Sequence, residues 1–285
     1  SKLCDPNTRT NSGVPYENIL LALFVRLDYS FADKYLLSGT LRRDASSVFA
    51  ADNNAGWFPS VSGAWRISQE SFFPKVSWLN ELKLRGGWGK LGSISNINPT
   101  NPYSLYGQSA ANSFYDIQGT QRGQFGLYAT QLGNINTTWE EDIITNVGLD
   151  AVLLKNKMEF SIEWYKKAVS GLLFRPGLPA TAGGATPPFV NAGNIENTGI
   201  DASLTYRGNI TRSLGFNATA TFTTYKNRVV ALPPGVQYYD RFSAGGTRLG
   251  PLSRFQTGQP MGEFFGYQVV GLFQDAADVA KSATQ

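Results

Sequence analysis

Glu140-Glu141-Asp142 is an acidic cluster, and clustered carboxylates can hold a cation or divide the acid and base roles of a hydrolysis between them. Three consecutive residues cannot easily converge on one ion, so a solvated strand entrance is the simpler reading. Nucleophilic chemistry is no better supported. The chain has no histidine and a single cysteine, Cys4, which removes histidine-based triads, His- or Cys-rich metal sites and any internal disulfide. With no histidine to activate it, Cys4 reads as an inert thiol. Gly183-Gly184 and Gly245-Gly246 lack the strand–loop–helix setting of a phosphate cradle and read as loop hinges. No catalytic constellation, metal site or cofactor emerges from these residues.

Binding chemistry is better motivated. Tyr103, Tyr106, Tyr115, Tyr128, Tyr238 and Tyr239, together with Phe114 and Phe125, sit among Asn, Gln, Asp and Arg in long irregular segments. Aromatic faces beside amide and carboxylate hydrogen bonders are what sugar or peptide capture would use. The same rings could instead pack loop against loop, or against a partner that closes over them.

The elements that would carry these segments are strands. From Gly199 to Arg207 every second residue is apolar (Ile200, Ala202, Leu204, Tyr206), with Asp201, Ser203 and Thr205 between them. After a short polar link the pattern resumes in Leu214, Phe216, Ala218, Ala220 and Phe222, against Asn217, Thr219, Thr221 and Thr223. Side chains alternate faces along a strand, so this pair reads as a hairpin with one apolar and one hydrophilic surface. Its strands, of roughly ten residues, approach the nine to eleven a tilted strand needs to cross a bilayer. The unit recurs at Leu20 to Phe31, Tyr35 to Arg43, Trp57 to Ile67, Leu82 to Gly89, Val147 to Leu153, Met158 to Trp164 and Glu263 to Phe273. One helical turn is expected within 68–80, and the tail from Gln274 reads as polar, helical or disordered.

The connections alternate in length. Those at 32–34, 154–157 and 208–213 are short, whereas 91–142, 167–197 and 226–262 are long. An up-and-down sheet with this parity gathers tight turns at one rim and extended loops at the other, as outer-membrane barrels do. Tyr35, Trp57, Trp65, Trp88, Trp164 and Tyr206 suit aromatic girdles at the two membrane surfaces. A soluble β-sandwich or propeller shares the alternation, but not the strand length, the charges on the polar faces or the one-sided loops.

Composition agrees with an all-β chain. The 285 residues are 42% hydrophobic and 13% aromatic, with 30 glycines. The formal net charge is +4 and the basic residues are scattered, so nothing marks a nucleic-acid stripe. No apolar run approaches the roughly 18 residues of a membrane helix. The opening Ser1-Lys-Leu-Cys-Asp-Pro6 has no apolar core of the signal-peptide kind.

A family resemblance rests on an ordered series of motifs. Lys34-Tyr-Leu-Leu-Ser-Gly-Thr-Leu-Arg-Arg-Asp44, Phe58-Pro-Ser-Val-Ser-Gly-Ala-Trp-Arg-Ile-Ser68, and Trp78 to Gly89 are followed by Trp139-Glu140 and Asn146-Val-Gly-Leu-Asp150. Asn191-Ala-Gly-Asn-Ile-Glu-Asn-Thr-Gly-Ile200, Lys226-Asn-Arg-Val229 and Gly262-Glu-Phe-Phe-Gly-Tyr267 complete it. The series resembles the barrel of SusC/RagA-type TonB-dependent transporters, with Ala45 and Val48 as modest departures. The resemblance implies an antiparallel transmembrane β-barrel in the bacterial outer membrane. It implies import of oligosaccharides or peptides, with a SusD-like surface lipoprotein as lid and TonB as the periplasmic partner. Signal peptide, plug, TonB box and terminal strand are all expected of the family and not found in this sequence. About nine strands cannot close the family's barrel, which resembles the roughly 22-stranded class. Residues 1–285 are therefore read as an internal barrel segment. A surface adhesin or structural β-protein is the alternative, and an enzymatic barrel is disfavoured by the missing histidine.

Overall fold

Alternation becomes structure only where each strand finds a neighbour, and here the long strands do so in sequence order. A computed structural model describes residues 17–95, 97–108, 113–115, 124–178, 181, 183–211, 213–243, 251–266, 268–269 and 271–281. In chain order the elements are β1 (Leu20–Phe31), β2 (Tyr35–Ser46), β3 (Ala55–Arg66), β4 (Leu79–Ser93), β5 (Leu105–Gly107), β6 (Phe114–Tyr115), β7 (Gln124–Phe125) and β8 (Tyr128–Gln131). They continue with β9 (Glu140–Leu153), β10 (Met158–Ser170), β11 (Leu173–Phe174), β12 (Val190–Asn191), β13 (Asn194–Asn209) and β14 (Gly215–Ala231). Last come β15 (Tyr238–Ser243), β16 (Pro251–Gln256), β17 (Glu263–Phe264) and the α-helix α1 (Ala276–Lys281).

Eight strands form one antiparallel sheet in the order β1-β2-β3-β4-β9-β10-β13-β14. The shortest of them has 12 residues and the longest 17, ample for a tilted crossing of a bilayer. Connections 32–34, 67–78, 154–157 and 210–214 lie at one rim, whereas 47–54, 94–139, 171–193 and the chain beyond Ala231 lie at the other. The expected separation of the tight turns 32–34, 154–157 and 208–213 from the three longest loops holds, although 67–78, at the tight-turn rim, is longer than 47–54 at the other. Among the described residues no helix is long and apolar enough to cross a membrane.

Two expectations are corrected. Glu263 to Phe273 does not form a ninth strand of the wall. Among its described residues only Glu263–Phe264 is β-structured, and it pairs with β16 in a three-stranded loop sheet. Alternating side chains cannot hold a strand without a partner ladder, and the ladder this segment finds is that of β16. Val269, Leu272 and Phe273 stay exposed. The long loops are also shorter than expected. Leu91–Ser93 and Glu140–Asp142 belong to β4 and β9, Lys167–Ser170 and Asn194–Asn197 to β10 and β13, and Lys226–Ala231 to β14. Among the described residues of what remains are the small hairpins β5–β8, β6–β7, β11–β12 and β15–β16.

Register sorts the side chains into two faces. One row runs Tyr29, Leu37, Gly63, Gly86, Val147, Trp164, Ile200, Thr224 across all eight strands. The adjacent row on the opposite face runs Asp28, Ser38, Ser62, Gly87, Asn146, Tyr165, Gly199, Tyr225. The apolar face is strongly exposed, Leu27 at 73% and Phe222 at 62%. An apolar surface this continuous is not left to water in a soluble protein. Phe31, Tyr35, Trp65, Tyr206 and Phe216 flank the apolar face toward the short-turn rim, and Trp57 and Trp88 lie toward the loops, with Trp164 midway along β10. Substituting lysine for Phe160 or Leu204, on the apolar face, should cost about 2–4 kcal/mol in lipid near the midplane, and lysine at Thr205 or Asn217 much less. Reversible unfolding in phospholipid vesicles measures the difference.

The longest short-rim connection is pinned by one carboxylate. Glu70 accepts from Tyr35 Oη at 2.6 Å, Trp65 Nε1 at 3.0 Å and Lys34 Nζ at 3.0 Å. These donors, with the Tyr35 hydroxyl foremost, lower the Glu70 pKa from 4.5 to about 2. A carboxylate lowered on folding contributes fully above its unfolded value, and the contribution fades as pH falls through the folded value. Trp65 fluorescence should therefore hold from neutral pH down to about pH 3 and change toward pH 2, and Glu70→Gln should abolish that acid transition.

Candidate functional site

The hydrophilic face of β4, β9 and β10 carries connected charges. Asp150 receives Lys83 Nζ at 3.0 Å, Arg85 Nε at 3.2 Å and Ser161 Oγ at 2.7 Å. Arg85 also pairs with Glu163, whose other oxygen accepts from Asn146 Nδ2 at 3.1 Å. Glycine makes that reach feasible. Arg85 and Glu163 stand either side of Gly148 in register, and a Cβ at Gly148 would lie 2.8 Å from Arg85 Cζ. Lower on the same face Arg207 pairs with Glu159, and Thr205 and Thr219 share a hydroxyl contact at 3.0 Å. The carboxylates of this network are partnered, so it reads as a polar lining rather than a catalytic centre.

Toward the long-loop rim this face is roofed by loops. Phe58, from the hydrophilic side of β3, packs with Val48, Phe49 and Trp139 in a buried cluster. Trp139 lies 5.3 Å from Phe49 and 5.4 Å from Phe58, ring to ring, and its Nε1 donates to Asn54 O. A polar clasp then ties loop 94–139 to loop 171–193. Asn101 is 2% exposed and Thr137 1%. Asn101 Oδ1 accepts from Phe189 N at 2.6 Å, and its Nδ2 donates to Thr137 Oγ1 at 2.9 Å and to Phe189 O at 3.2 Å. Asn191 repeats the device, bonding both N–H and C=O of Thr138. A parallel bridge between Gln131 and Thr186 adds a third link.

The acidic cluster is divided among separate partners. Glu140 is buried and accepts from Leu173 N at 2.9 Å, Glu141 pairs with Lys90, and Asp142 pairs with Lys167 at 2.9 Å. Alternation sends Glu141 to the face opposite its neighbours, and among the described residues no group of ligating side chains could hold a metal. The reading as a solvated entrance is corrected for Glu140, whose carboxylate is spent on a buried backbone N–H. Gly183 adopts φ +71°, as a loop hinge does, while Gly245-Gly246 lies outside the described residues.

The loop tyrosines fall into separate groups. Tyr106 on β5 and Tyr128 on β8 share one hairpin, with Tyr103 just before it; Tyr103 and Tyr106 are well exposed, and Tyr128 is half-buried beside Gly107. Tyr115 lies on β6, paired with Gln124, and its side chain is outside the described residues. Tyr238 and Tyr239, on β15, take different neighbours. Arg254 Cζ sits 3.7 Å from the Tyr238 ring centre, whereas Tyr239 packs on Phe174 at 5.9 Å and Phe255 at 6.4 Å. Of the six, only Tyr239 lines a loop cleft of about 550 Å³, together with Phe174, Arg175, Phe189 and Phe255. Those four escape a reading of the sequence alone, although Arg175, directly after Leu172-Leu173-Phe174, is a lone charge in an apolar run.

The family model described as TonB dependent receptor-like, beta-barrel matches residues 4–278. The chain belongs to the TonB-dependent receptor β-barrel family. Members of that family are outer-membrane receptors, which places the exposed apolar face in lipid and the ionic lining toward the lumen. The chain is 30% identical to TonB-dependent receptor P3 of Formosa agariphila over 258 residues, covering 90% of this chain and 25% of the relative. It is 29% identical to TonB-dependent receptor SusC of Bacteroides thetaiotaomicron over 273 residues, 93% of this chain and 27% of the relative. Among solved structures, the RagAB peptide transporter superposes with a TM-score of 0.74 at 25% identity, covering 87% of this chain and 25% of that one. The chain thus spans about a quarter of the length of the curated relatives it matches.

In this receptor wall the clasp should be the weak point of the roof. Asn101→Ala strands the buried Phe189 N–H and should cost about 1–3 kcal/mol. Hydrogen exchange should accelerate at Phe189 and through loop 94–139 while the strands keep their protection.

Proposed function

We propose that residues 1–285 form part of the barrel wall of a transporter that imports oligosaccharides or peptides across the bacterial outer membrane. Energy arrives through TonB, acting on a plug and an N-terminal segment carried elsewhere in the protein, and a SusD-like lipoprotein closes over the long-loop rim. One observation carries this reading. The loops at that rim are knit by the Asn101 clasp into a platform that continues the polar lumen lining, so a captured solute leads directly into the channel. The likeness to SusC and to a peptide transporter supports the same direction. Loops 94–139 and 171–193 and the chain beyond Ala231 are the extracellular ones. In them Tyr103, Tyr106, Tyr115, Tyr128, Tyr238 and Tyr239 contact the substrate or the lid. The edge strands β1 and β14 pair with further strands of the same barrel, because an open edge in hydrocarbon costs several kcal/mol per unpaired group.

The test is energised uptake by cells carrying the intact receptor. Uptake of labelled oligosaccharide or peptide pools should vanish when TonB is disrupted. Paired Tyr103→Ala and Tyr106→Ala substitutions should lower uptake several-fold at limiting substrate, with unchanged receptor level in the membrane. Uptake that persists without TonB contradicts the proposal.

A further inference from the structure

We infer that the cleft around Arg175 is a subsite for a free carboxylate borne on an apolar group, of the kind a peptide ending in a bulky apolar residue presents. The inference rests on the reading of the loop rim as a capture surface and names the chemistry of one part of it. The cleft opens over Ile195 and Val229, buried side chains on the lumenal side of β13 and β14, between the β11–β12 and β15–β16 hairpins. Its volume is about 550 Å³, room for one large side chain and its terminal group.

Arg175 is the only charged side chain among its described lining residues. The guanidinium lies over Phe189, with Cζ 4.4 Å from the ring centre, and Nε is buried with no hydrogen-bond partner. A guanidinium stays charged at any physiological pH and presents its donors as a planar fork that matches a carboxylate. The neighbouring charges are committed elsewhere. Asp240 binds Arg254 at 2.7 Å on the adjacent hairpin, and Glu140 accepts from Leu173 N. A half-buried guanidinium whose Nε is buried without a partner, in a cleft with no acidic lining residue, is complementary to a ligand carboxylate. The walls define the rest of that ligand. Leu172, Leu232, Val236 and Met261 offer no hydrogen bonds, and Phe174 and Phe255 add apolar faces. Asn194 and the Tyr239 hydroxyl are the few other side-chain hydrogen bonders in the lining, too few to replace the water that sugar hydroxyls would lose, whereas an apolar side chain gains from burial.

The experiment is calorimetric titration of the intact receptor in detergent with N-acetyl-phenylalanyl-phenylalanine as free acid, its C-terminal amide, and a glucuronate-ended tetrasaccharide. The free acid should bind, and the amide at least tenfold more weakly. Arg175→Gln should weaken the acid about tenfold or more and bring acid and amide level, while Arg175→Lys should recover part of the preference. Heat-modifiable gel mobility confirms that each variant is folded. Equal affinity for acid and amide in the wild type overturns the proposal, as does an unchanged affinity in Arg175→Gln. Tighter binding of the glucuronate sugar than of the peptide acid would overturn the apolar part. Direct binding keeps this separate from transport. Loss of the carboxylate preference with TonB-dependent uptake intact refutes the subsite alone, and an intact preference without TonB-dependent uptake refutes the transport reading alone.

Discussion

Backbone polarity is the constraint on which this wall depends. In hydrocarbon every N–H and C=O must be satisfied by the protein itself, and an antiparallel ladder carried from strand to strand does so without water. The eight long strands follow one another in chain order and each hydrogen-bonds to its sequence neighbours in the wall. The order is an up-and-down meander because connections such as 32–34 and 154–157 are too short for any other return. The turns accept strain for that brevity. Ala32 and Asp33 sit at φ +50° and +58°, and Leu154, Lys155 and Asn156 are likewise left-handed, a region that favours glycine.

With the ladder set, the two faces solve different problems. Outward, alternation delivers Val147, Leu149, Phe160, Ile162, Leu204 and Phe222 to lipid, and no polar partner is needed. Inward, the same registration places unlike charges on neighbouring strands, where cross-strand pairs are worth most. Arg85 spans Gly148 to join Asp150 with Glu163, so three strands share one ionic lining. At the mouth, where the wall rises out of the membrane, side-chain amides replace the strand ladder. Asn101 and Asn191 bond to main-chain groups of distant loops, in the way another strand would. The roof is held by specific hydrogen bonds, and the space left beneath it holds Arg175.

Much of this was legible in the sequence, for a physical reason. A strand with one face in lipid and one in water must alternate strictly, so Gly199 to Thr223 and Val147 to Trp164 announce their facing and their partners. The parity of connection lengths announces the rims. Strand ends were less readable, because above the membrane the outward face carries charge. Lys90, Glu141, Lys166 and Glu196 break the apolar pattern while the ladder continues, and Lys90–Glu141 and Lys166–Glu196 pair across it. The opposite failure occurs at Glu263 to Phe273, where the pattern is present and the partner is not. Long-range polar contacts left no local trace. The partner of Asn101 is Phe189, 88 residues away, and nothing in the neighbourhood of either residue advertises the other. For the same reason the loop tyrosines were found as a class, while the cleft that only Tyr239 lines was not.

The account turns on a wall that crosses the outer membrane with its long loops outside and its short turns in the periplasm. Single cysteines at Tyr106, Thr186 or Pro234, and at Asp33, Asn156 or Ile210, in a Cys4→Ser background of the intact receptor, test that directly. A membrane-impermeant maleimide applied to whole cells should label the first set at once. The second set should label only after the outer membrane is permeabilised. Equal labelling of both rims in intact cells, or labelling of the short-turn rim alone, would contradict the assignment of the sheet to the membrane in this orientation.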